Sequence, residues 1–252
     1  MTAPGNRAIE VRGVSLTYAG RPPVHALDGV EFEVARDEFA ALLGPSGCGK
    51  STLLRVLAGL ASPTTGEARA DNAAYMPQRD LLLPWRRVLG NAVFAAEMAG
   101  VPSAEARHRA EALLQRFGLA GFDGAWPAQL SGGMRQRLAL LRTFLAPRET
   151  LLLDEPFGAL DAITRRQMHG WLQNVLAAEP RTVLLVTHDV EEALTLADTI
   201  YVMSPRPGRI VTRLPVELPR PRTAATITSP EFTALKARLF TAIEGDSGRA
   251  AR

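Results

Sequence analysis

The chain has 252 residues and a net charge of +3, with 46% hydrophobic and 22% charged residues. These values are ordinary for a globular protein with a sizeable core, and so small an excess of positive charge gives no reason to expect a nucleic-acid partner. Cys48 is the only cysteine, which excludes an internal disulfide. No apolar run reaches the roughly 18 residues of a membrane span, so we expect a soluble chain whose membrane role, if any, needs partner subunits.

The N-terminal third predicts antiparallel strands, then a buried strand, then a glycine-rich loop. Residues 9–18 and 30–34 have β-rich patterns, and residues 39–43 form the short apolar run of a central parallel strand. Residues 44–51 read Gly-Pro-Ser-Gly-Cys-Gly-Lys-Ser and lead into a helix predicted from Lys50 to about Ala58. Glycines let backbone N–H groups approach phosphate oxygens, and the start of a helix favours an anion.

This loop has the residue types that a nucleoside triphosphate needs. Lys50 can reach the β- and γ-phosphates, and the Ser51 hydroxyl can ligate Mg²⁺. The alternative is a strand–turn–helix corner in which glycines serve only packing, but the Lys-Ser pair at its correct offset favours nucleotide binding. The residues of the loop that we expect to bind ATP are Gly44, Pro45, Ser46, Gly47, Cys48, Gly49, Lys50, Ser51 and Thr52.

The remainder of the chain alternates between strand and helix patterns after a helical stretch at 83–145. In that stretch Ser103 is expected to be an N-cap, and Gly118 is expected to end the same helix after an apolar face at 106, 110, 113, 114 and 117. Strands are predicted at 150–153, 183–187 and 200–203, and helices at 162–178 and 190–196. The pattern predicts an α/β fold: a mostly parallel, RecA-like P-loop NTPase sheet with an antiparallel β edge and an inserted α-helical subdomain.

Three regions follow from this organisation. Residues 1–82 and 147–203 are expected to form the nucleotide-binding core, 83–146 the inserted helical subdomain, and 204–252 an extension with a C-terminal helix. The proline- and arginine-rich segment 204–222 predicts extended, solvated chain rather than core. Ser229 is expected to cap a helix whose apolar stripe at 232, 235, 239 and 243 packs on the chain's own body.

Two acidic residues and a glycine pair outside the loop are further candidates for metal binding, catalysis and anion binding. Asp154, at the carboxyl end of its predicted strand, is placed to hold Mg²⁺ through water, and Glu155 can polarise the water that attacks the γ-phosphorus. Ser131 predicts a helix cap, and Gly132 and Gly133 leave the first amides of that helix open to an anion. The alternatives are an acidic turn and an ordinary capped helix. A second anion site becomes useful if two chains face each other and complete each other's nucleotide pockets.

These motifs, with Gly-Ala-Leu-Asp at 158–161 and Val-Thr-His-Asp at 186–189, resemble the ATP-binding cassette of ABC transporters over residues 9–203. The resemblance implies that Tyr18 stacks on adenine, although it could be an ordinary strand aromatic. It implies that Gln78 senses Mg²⁺ and the membrane subunit, that His188 contacts the γ-phosphate, and that Asp161 communicates across a dimer. The other histidines, at 25, 108 and 169, are interpreted as structural or surface residues.

The resemblance also implies how these residues group by role. The catalytic residues are Lys50, Glu155 and His188. The metal ligands are Ser51, Gln78 and Asp154. ATP is also bound by Tyr18, Gln78 and His188, and in trans by Ser131, Gly132, Gly133 and Gln136.

Cys48 lies in the phosphate loop just before the helix that is predicted from Lys50. The start of that helix predicts a lowered pKa for the Cys48 thiol and hence a reactive cysteine, with a buried, inert thiol as the alternative.

Residues 78–91 and 203–211 further resemble importer ATPases of the nitrate/sulfonate/taurine group, whose broader relatives carry thiamine pyrimidine precursors or similar heterocycles. That resemblance implies ATP and Mg²⁺ as cofactors, a homodimer on integral-membrane permease subunits, an extracytoplasmic solute-binding protein, and a place at the cytoplasmic face of the cell membrane. Trp85 and the leucines at 81–83 suit a groove for a permease helix, with core packing an equal alternative for the leucines.

The short 66–77 segment predicts that the antiparallel edge has a shorter β-hairpin than many members of the family have.

Two other function classes are weaker. A soluble ABC ATPase acting on nucleic acid or ribosomes usually has two cassettes or a long coiled-coil insertion. A kinase would have no use for the Ser-Gly-Gly motif or for His188.

Overall fold

The computed structural model describes residues 6–247, and the chain folds around two sheets. The strands are β1 (Arg7–Tyr18), β2 (Val24–Ala35), β3 (Phe39–Leu43), β4 (Thr65–Ala70), β5 (Ala73–Met76), β6 (Thr150–Asp154), β7 (Thr182–Thr187), β8 (Thr199–Met203) and β9 (Ile210–Pro215). The helices are α1 (Lys50–Leu57), α2 (Val88–Met98), α3 (Ser103–Arg116), α4 (Gly132–Leu145), α5 (Ala162–Ala178), α6 (Val190–Leu196), α7 (Ala224–Ile227) and α8 (Pro230–Ser247).

The larger sheet has the strand order β5-β6-β7-β3-β8-β9 and is parallel except for β9, which pairs antiparallel with β8. All five residues of β3 are buried. Alternate side chains enter two separate apolar cores: Ala41 and Leu43 face one, and Ala40 and Leu42 face the other. A strand covered on both faces has no solvent side, which explains its unbroken apolar sequence.

A smaller antiparallel sheet, ordered β2-β1-β4, covers α1 and one face of the larger sheet. The other face packs against α4, α6 and α8. Helices α2, α3 and α4 pack mainly on one another and form the predicted helical region. The predicted fold class is therefore confirmed: a mostly parallel sheet with an antiparallel β region and a helical region.

The start of α3 differs from the expectation. The helix begins at Ser103 itself, and Pro102 occupies the N-cap position. The Ser103 hydroxyl donates to Oε1 of Glu97 over 2.7 Å instead of capping the backbone. The N-cap prediction was therefore wrong, whereas Gly118, at φ +62°, follows the end of the helix as predicted.

The segment after β8 also differs from the expectation of solvated chain. It includes β9, an added sheet strand, and it buries Arg222 to 4% exposure. The guanidinium of Arg222 donates to the carbonyl oxygens of Leu194 and Ala197, which the C-terminal end of α6 leaves without helical partners. A proline- and arginine-rich composition suggests solvent, but here arginine supplies the donors that those carbonyls need.

The C-terminal helix follows the prediction. Phe232 N donates to the Ser229 hydroxyl over 3.2 Å, which caps α8. Phe232 and Leu239 are each 1% exposed and pack in the chain's own core. Within residues 6–247, no helix combines the length and the apolar character needed to cross a membrane.

Candidate nucleotide-binding site

The glycine-rich loop lies between the carboxyl end of β3 and the start of α1. Gly49 has φ +108°, and a Cβ there would lie 2.7 Å from the carbonyl oxygen of Ala26, so only glycine fits. Lys50 is buried, and its Nζ donates to the carbonyl oxygens of Gly44 over 2.7 Å and Pro45 over 2.9 Å. Within the described part of the chain this ammonium has no carboxylate partner. It is thus a cation held by neutral acceptors that phosphate oxygens can replace.

Two oxygen ligands meet beside the loop. The Ser51 hydroxyl donates to Oδ1 of Asp154 over 3.0 Å. Burial raises the pKa of Asp154, while the Ser51 hydrogen bond acts in the opposite direction. Burial, with a smaller influence from the charge of Asp154, raises the pKa of the Tyr75 hydroxyl to about 12. A hydroxyl and a carboxylate oxygen side by side are hard donors of the kind that Mg²⁺ prefers, so the residues fit that ion.

Glu155 lies where three segments of the chain converge. Gln78 Nε2 donates to its Oε2 over 3.1 Å, and Nδ1 of His188 lies 3.2 Å from its Oε1. The Glu155 backbone has φ +49°, and its N–H donates to Val186 O over 3.0 Å. The strained turn after β6 therefore presents the carboxylate to both other side chains.

Gln136 is held by two hydrogen bonds within its own chain. It is 6% exposed, and its Nε2 donates to the carbonyl oxygen of Glu155 over 2.7 Å. Its Oε1 accepts from the backbone N–H of Ala159 over 2.6 Å. Both ends of the amide are used inside the chain, and ATP binding in trans by Gln136 remains a prediction. Within the chain, Gln136 positions the backbone of Glu155.

The Ser-Gly-Gly motif forms an exposed helix start. The Ser131 hydroxyl accepts from Met134 N over 3.2 Å and caps α4. A Cβ at Gly133 would lie 3.3 Å from the Leu160 side chain, so the motif packs closely on the 158–161 loop. Within residues 6–247, no hydrogen bond joins 131–133 to the phosphate loop at 44–52.

Asp161 caps α5, the helix that follows this loop. Its carboxylate accepts from the backbone N–H groups of Thr164 and Ile163 over 3.0 and 3.1 Å. These bonds, that from Thr164 first, lower the pKa of Asp161. The turn before α5 is thereby fixed by its own side chain.

Tyr18 lies at the end of β1 and is 36% exposed. Its hydroxyl donates to Oγ1 of Thr52 over 3.2 Å, which ties the ring to the first turn of α1. The ring therefore lies next to the phosphate loop while much of its surface stays open to solvent. Stacking on adenine remains a prediction.

Cys48 is not the reactive thiol with a lowered pKa that the sequence predicts. It is 1% exposed, and burial raises its pKa, with the charge of Lys50 acting as a smaller opposing influence. The prediction of a lowered pKa was wrong because burial outweighs the nearby positive charge. The alternative of a buried thiol is the one that the structure favours.

Sequence reasoning missed Gly208 as part of this site. Its backbone N–H donates to Ala26 O, and its carbonyl oxygen accepts from Asp28 N, each over 3.0 Å. A methyl group at position 208 would overlap the carbonyl oxygen of Cys48. The β8–β9 turn thus supports the phosphate loop from behind. The Pro-Gly pair signalled a turn, but only the fold brings it against residue 48.

The fold and these residues define a phosphate-loop nucleoside triphosphatase of the cassette type. The protein-family model described as "ABC transporter" matches residues 27–158, and the chain belongs to that family. It is an ATP-binding, ATP-hydrolysing subunit.

The sequence alignments with two named relatives cover most of the chain. The chain is 47% identical over 234 residues to "Aliphatic sulfonates import ATP-binding protein SsuB 1" of Pseudomonas fluorescens. The aligned region covers 92% of this chain and 85% of that protein. It is 42% identical over 215 residues to "Taurine import ATP-binding protein TauB" of Yersinia pestis, with 82% and 83% covered.

The fold is similar to the dimeric structure of the ABC transporter cassette MJ0796. The TM-score is 0.75 at 28% identity, covering 83% of this chain and 99% of that one. A post-hydrolysis state of the same cassette with ADP and Pi bound gives the same TM-score at 27% identity.

Proposed function

We propose that this chain energises a membrane importer of small organic anions of the sulfonate and taurine type. The observation that carries the proposal is the 47% identity to an aliphatic sulfonate import subunit over 92% of the chain. The taurine import relative supports the same class of solute. These relatives favour sulfonates over the heterocycle alternative and over nucleic-acid or ribosome function.

In the proposed mechanism the phosphate loop binds the triphosphate first. Lys50 exchanges the carbonyl oxygens of Gly44 and Pro45 for phosphate oxygens, and the loop amides and the start of α1 add further donors. Ser51, Asp154 and Gln78 would hold Mg²⁺, which supplies positive charge against the β- and γ-oxygens when bound. Tyr18 offers its ring face to adenine.

Glu155 is proposed as the general base for the attacking water. Its carboxylate is oriented from two sides by Gln78 and His188, and its backbone is held by Gln136. A carboxylate fixed in this way can take a proton from water during attack on the γ-phosphorus. His188, whose side chain is 56% exposed, is free to contact the γ-phosphate.

The second half of the pocket is proposed to come from another copy of the chain. Ser131, Gly132 and Gly133 are exposed or partly exposed and have no hydrogen bond to the chain's own phosphate loop within residues 6–247. An open helix start favours an anion, so the motif suits the γ-phosphate held by the opposite chain of a homodimer. Asp161, at the turn beside the motif, would transmit conformational changes from one chain of that dimer to the other.

The surface beside Gln78 is proposed to bind the permease. A groove of about 430 Å³ is lined by Gln78, Leu81 and Gly132, among others. Leu81 is 57% exposed, and Trp85 nearby is 70% exposed. Arg142 holds the groove wall by donating to the carbonyl oxygens of Asp80 and Leu81. Permease binding here would affect Glu155 through its hydrogen bond with Gln78. It would also place the chain at the cytoplasmic face of the membrane.

The extracytoplasmic solute-binding protein would act only indirectly, through the permease. We also propose that the chain divides into a nucleotide-binding core at 1–82 and 147–203, an inserted helical subdomain at 83–146 and an extension at 204–252.

Growth on a sole sulfur source tests the solute class. A strain that lacks this chain should grow on sulfate and fail on taurine or ethanesulfonate, and the wild-type chain should restore growth. Glu155→Gln should not restore it. Undiminished growth of the deletion strain on both sulfonates would contradict the proposed solute class, while the ATPase assignment would stand.

A further inference from the structure

Arg165, in the first turn of α5, joins two separate loops. One nitrogen of its guanidinium, Nη2, donates to the carbonyl oxygen of Leu160 over 3.1 Å, in the loop at 158–161. The other, Nη1, donates to Oδ2 of Asp189 over 3.3 Å. Asp189 directly follows His188 in the chain. A single side chain therefore spans from the loop beside the Ser-Gly-Gly motif to the segment that carries the histidine of the nucleotide site.

The carboxylate of Asp189 uses its two oxygens for two different contacts. Oδ1 accepts from the backbone N–H groups of residues 191 and 192, over 2.8 and 3.1 Å, and so caps α6. Oδ2 is the atom that accepts from Arg165. The backbone N–H of Asp189 donates to Oγ1 of Thr187 over 3.0 Å, within the turn between β7 and α6. The start of α6 thus fixes this turn from one side, and Arg165 fixes it from the other.

The imidazole of His188 has few contacts of its own. Its side chain is 56% exposed, and its one hydrogen-bond partner within residues 6–247 is Oε1 of Glu155, 3.2 Å from Nδ1. Functional side chains keep a productive geometry only where neighbouring packing and hydrogen bonds hold them in place. The ring therefore takes much of its position from its backbone, which is the backbone of the turn that Asp189 and Arg165 fix.

A second side chain joins the same loop to the other side of the site. One end of the Gln136 amide accepts from the backbone N–H of Ala159 over 2.6 Å, and the other end donates to the carbonyl oxygen of Glu155 over 2.7 Å. The 158–161 loop is therefore joined to the backbone of the proposed base from α4, and to the turn at His188 from α5.

The ion pair between Arg165 and Asp189 suits positioning better than it suits folding. The two side chains are 31% and 33% exposed, so solvent screens the pair in part. Ion pairs near the surface contribute little to stability, whereas charge-assisted hydrogen bonds still fix the direction of the groups that they join. Loss of this pair should therefore shift the turn at His188 more than it weakens the fold.

We propose that Arg165 is a positioning residue for ATP hydrolysis, which holds His188 in place through Asp189 by bracing its turn against the loop at Leu160. The inference rests on the proposed contact of His188 with the γ-phosphate. Arg165 itself binds no phosphate and moves no proton in this account. Its effect on the reaction passes through the imidazole.

Three variants and a control separate the contacts. Arg165→Gln removes the charge and the fork. Arg165→Lys keeps the charge but has one nitrogen where arginine uses two. Asp189→Asn keeps Oδ1 as the acceptor for the α6 cap but removes the carboxylate from Arg165. Arg166→Gln is the matched control, because it removes the exposed arginine next along the same helix.

Steady-state phosphate release by the full chain measures kcat and KM, and thermal unfolding measures stability. Arg165→Gln and Asp189→Asn should each lower kcat by about tenfold or more with KM for ATP within about twofold of wild type. The double variant should lose no more than either single variant, since both remove one contact. Arg165→Lys should stay below wild type by about threefold or more. Arg166→Gln should match wild type, and the unfolding temperatures of all these variants should lie within about 2 °C of it.

The His188→Ala background tests the route. Single-turnover hydrolysis of radiolabelled ATP, with the chain in excess, measures the slow rates of this background. Because Arg165 acts through the imidazole, Arg165→Gln should change the His188→Ala rate by less than about twofold. A loss as large in His188→Ala as in wild type would overturn the route through the histidine.

Four other results would overturn the proposal. Wild-type kcat for Arg165→Gln, or an equal loss in Arg166→Gln, would remove the role. Wild-type kcat for Arg165→Lys would show that charge alone matters and not the two contacts. Unfolding temperatures that fall in step with kcat would make Arg165 a residue of the fold. Wild-type turnover by His188→Ala would overturn the proposed role of the histidine together with this route, whereas the other results leave that role intact.

Discussion

The side-chain amide of Gln78 donates a 3.1 Å hydrogen bond to Oε2 of Glu155, although the two residues lie 77 positions apart in the chain. Gln78 also lines the groove that carries the exposed Leu81. Gln78 thus joins an exposed groove to the proposed catalytic base. If the permease binds in that groove, as proposed, we expect its binding to change the position of Glu155 through this hydrogen bond.

Lys50→Ala should weaken ATP binding by about one to two orders of magnitude. The reason is the loss of a charge-assisted contact to phosphate, worth about 1.5–3 kcal/mol. Titration with a fluorescent ATP analogue measures the effect. Lys236→Ala is the control, because it removes the only other lysine of the chain and its partner is the surface carboxylate Glu191. Equal affinity of Lys50→Ala and Lys236→Ala would contradict the placement of Lys50.

Glu155→Gln should lower ATP turnover by about 100-fold or more while ATP binding persists, because an amide can hold water but cannot accept its proton. Two chains should then stay closed around two ATP molecules. Steady-state phosphate release and light scattering after size-exclusion chromatography measure the two effects. A variant that stays monomeric in ATP and hydrolyses it at the wild-type rate would sink the assignment of the base.

Gly132→Asp should leave ATP binding to the isolated chain intact and abolish dimer closure and hydrolysis. The new carboxylate would face the γ-phosphate of the opposite chain, and like charges repel strongly in a partly desolvated site. The nearest atom to a Cβ at this position is a guanidinium nitrogen of Arg135 at 3.9 Å, so the fold can accommodate the change.

Mixing Gly132→Asp chains with Lys50→Ala chains sharpens that test. One composite site of the mixed dimer keeps an intact phosphate loop and an intact Ser-Gly-Gly motif, so some hydrolysis should return on mixing. Wild-type hydrolysis by Gly132→Asp alone would mean that the motif is only a helix cap.

Cys48 should react slowly with N-ethylmaleimide near neutral pH, and the rate should rise with pH beyond the range where a free thiol levels off. Burial raises the pKa of this thiol, so less thiolate is present at a given pH than in an exposed cysteine. Mass spectrometry from about pH 7 to pH 10, with the unfolded chain as reference, follows the reaction. A folded-state rate equal to the unfolded rate at pH 7 would contradict this account.

Gly208→Ala should destabilise the fold by about 1–3 kcal/mol and weaken ATP binding, because the added methyl group overlaps the carbonyl oxygen of Cys48 in the phosphate loop. Gly170→Ala, whose Cβ meets open space, should be neutral or stabilising by about 1 kcal/mol. Thermal unfolding with and without ATP compares the two variants. Matching unfolding temperatures for Gly208→Ala and wild type would show that the turn does not support the loop.

Much of the fold and many of the candidate residues could be predicted from the sequence because their signals are local. The apolar run of β3 predicts a strand covered on both faces, and the glycines that follow it predict a phosphate loop. The bounds of α5 and α6 agree with the predicted 162–178 and 190–196. Asp154 and Glu155 were identifiable because they lie at the carboxyl end of an apolar strand.

Several features that the sequence did not reveal depend on contacts and burial that only the fold creates. The amide of Gln136 is used by Glu155 and Ala159, which its position in the motif does not reveal. Arg222 belongs to a segment whose composition suggests solvent, yet it caps the end of α6. The thiol of Cys48 is governed by burial more than by its helix.

The sequence by itself determined the order of the elements, the phosphate loop and the family, because hydrophobic periodicity, glycine placement and capping act between near neighbours in the chain. Only the tertiary structure decided that Gln78 and His188 meet at Glu155, that Gly208 supports the phosphate loop, and that Arg165 joins Leu160 to Asp189. These features arise where elements distant in sequence pack together, and which polar atoms find partners there depends on distances that no local pattern encodes.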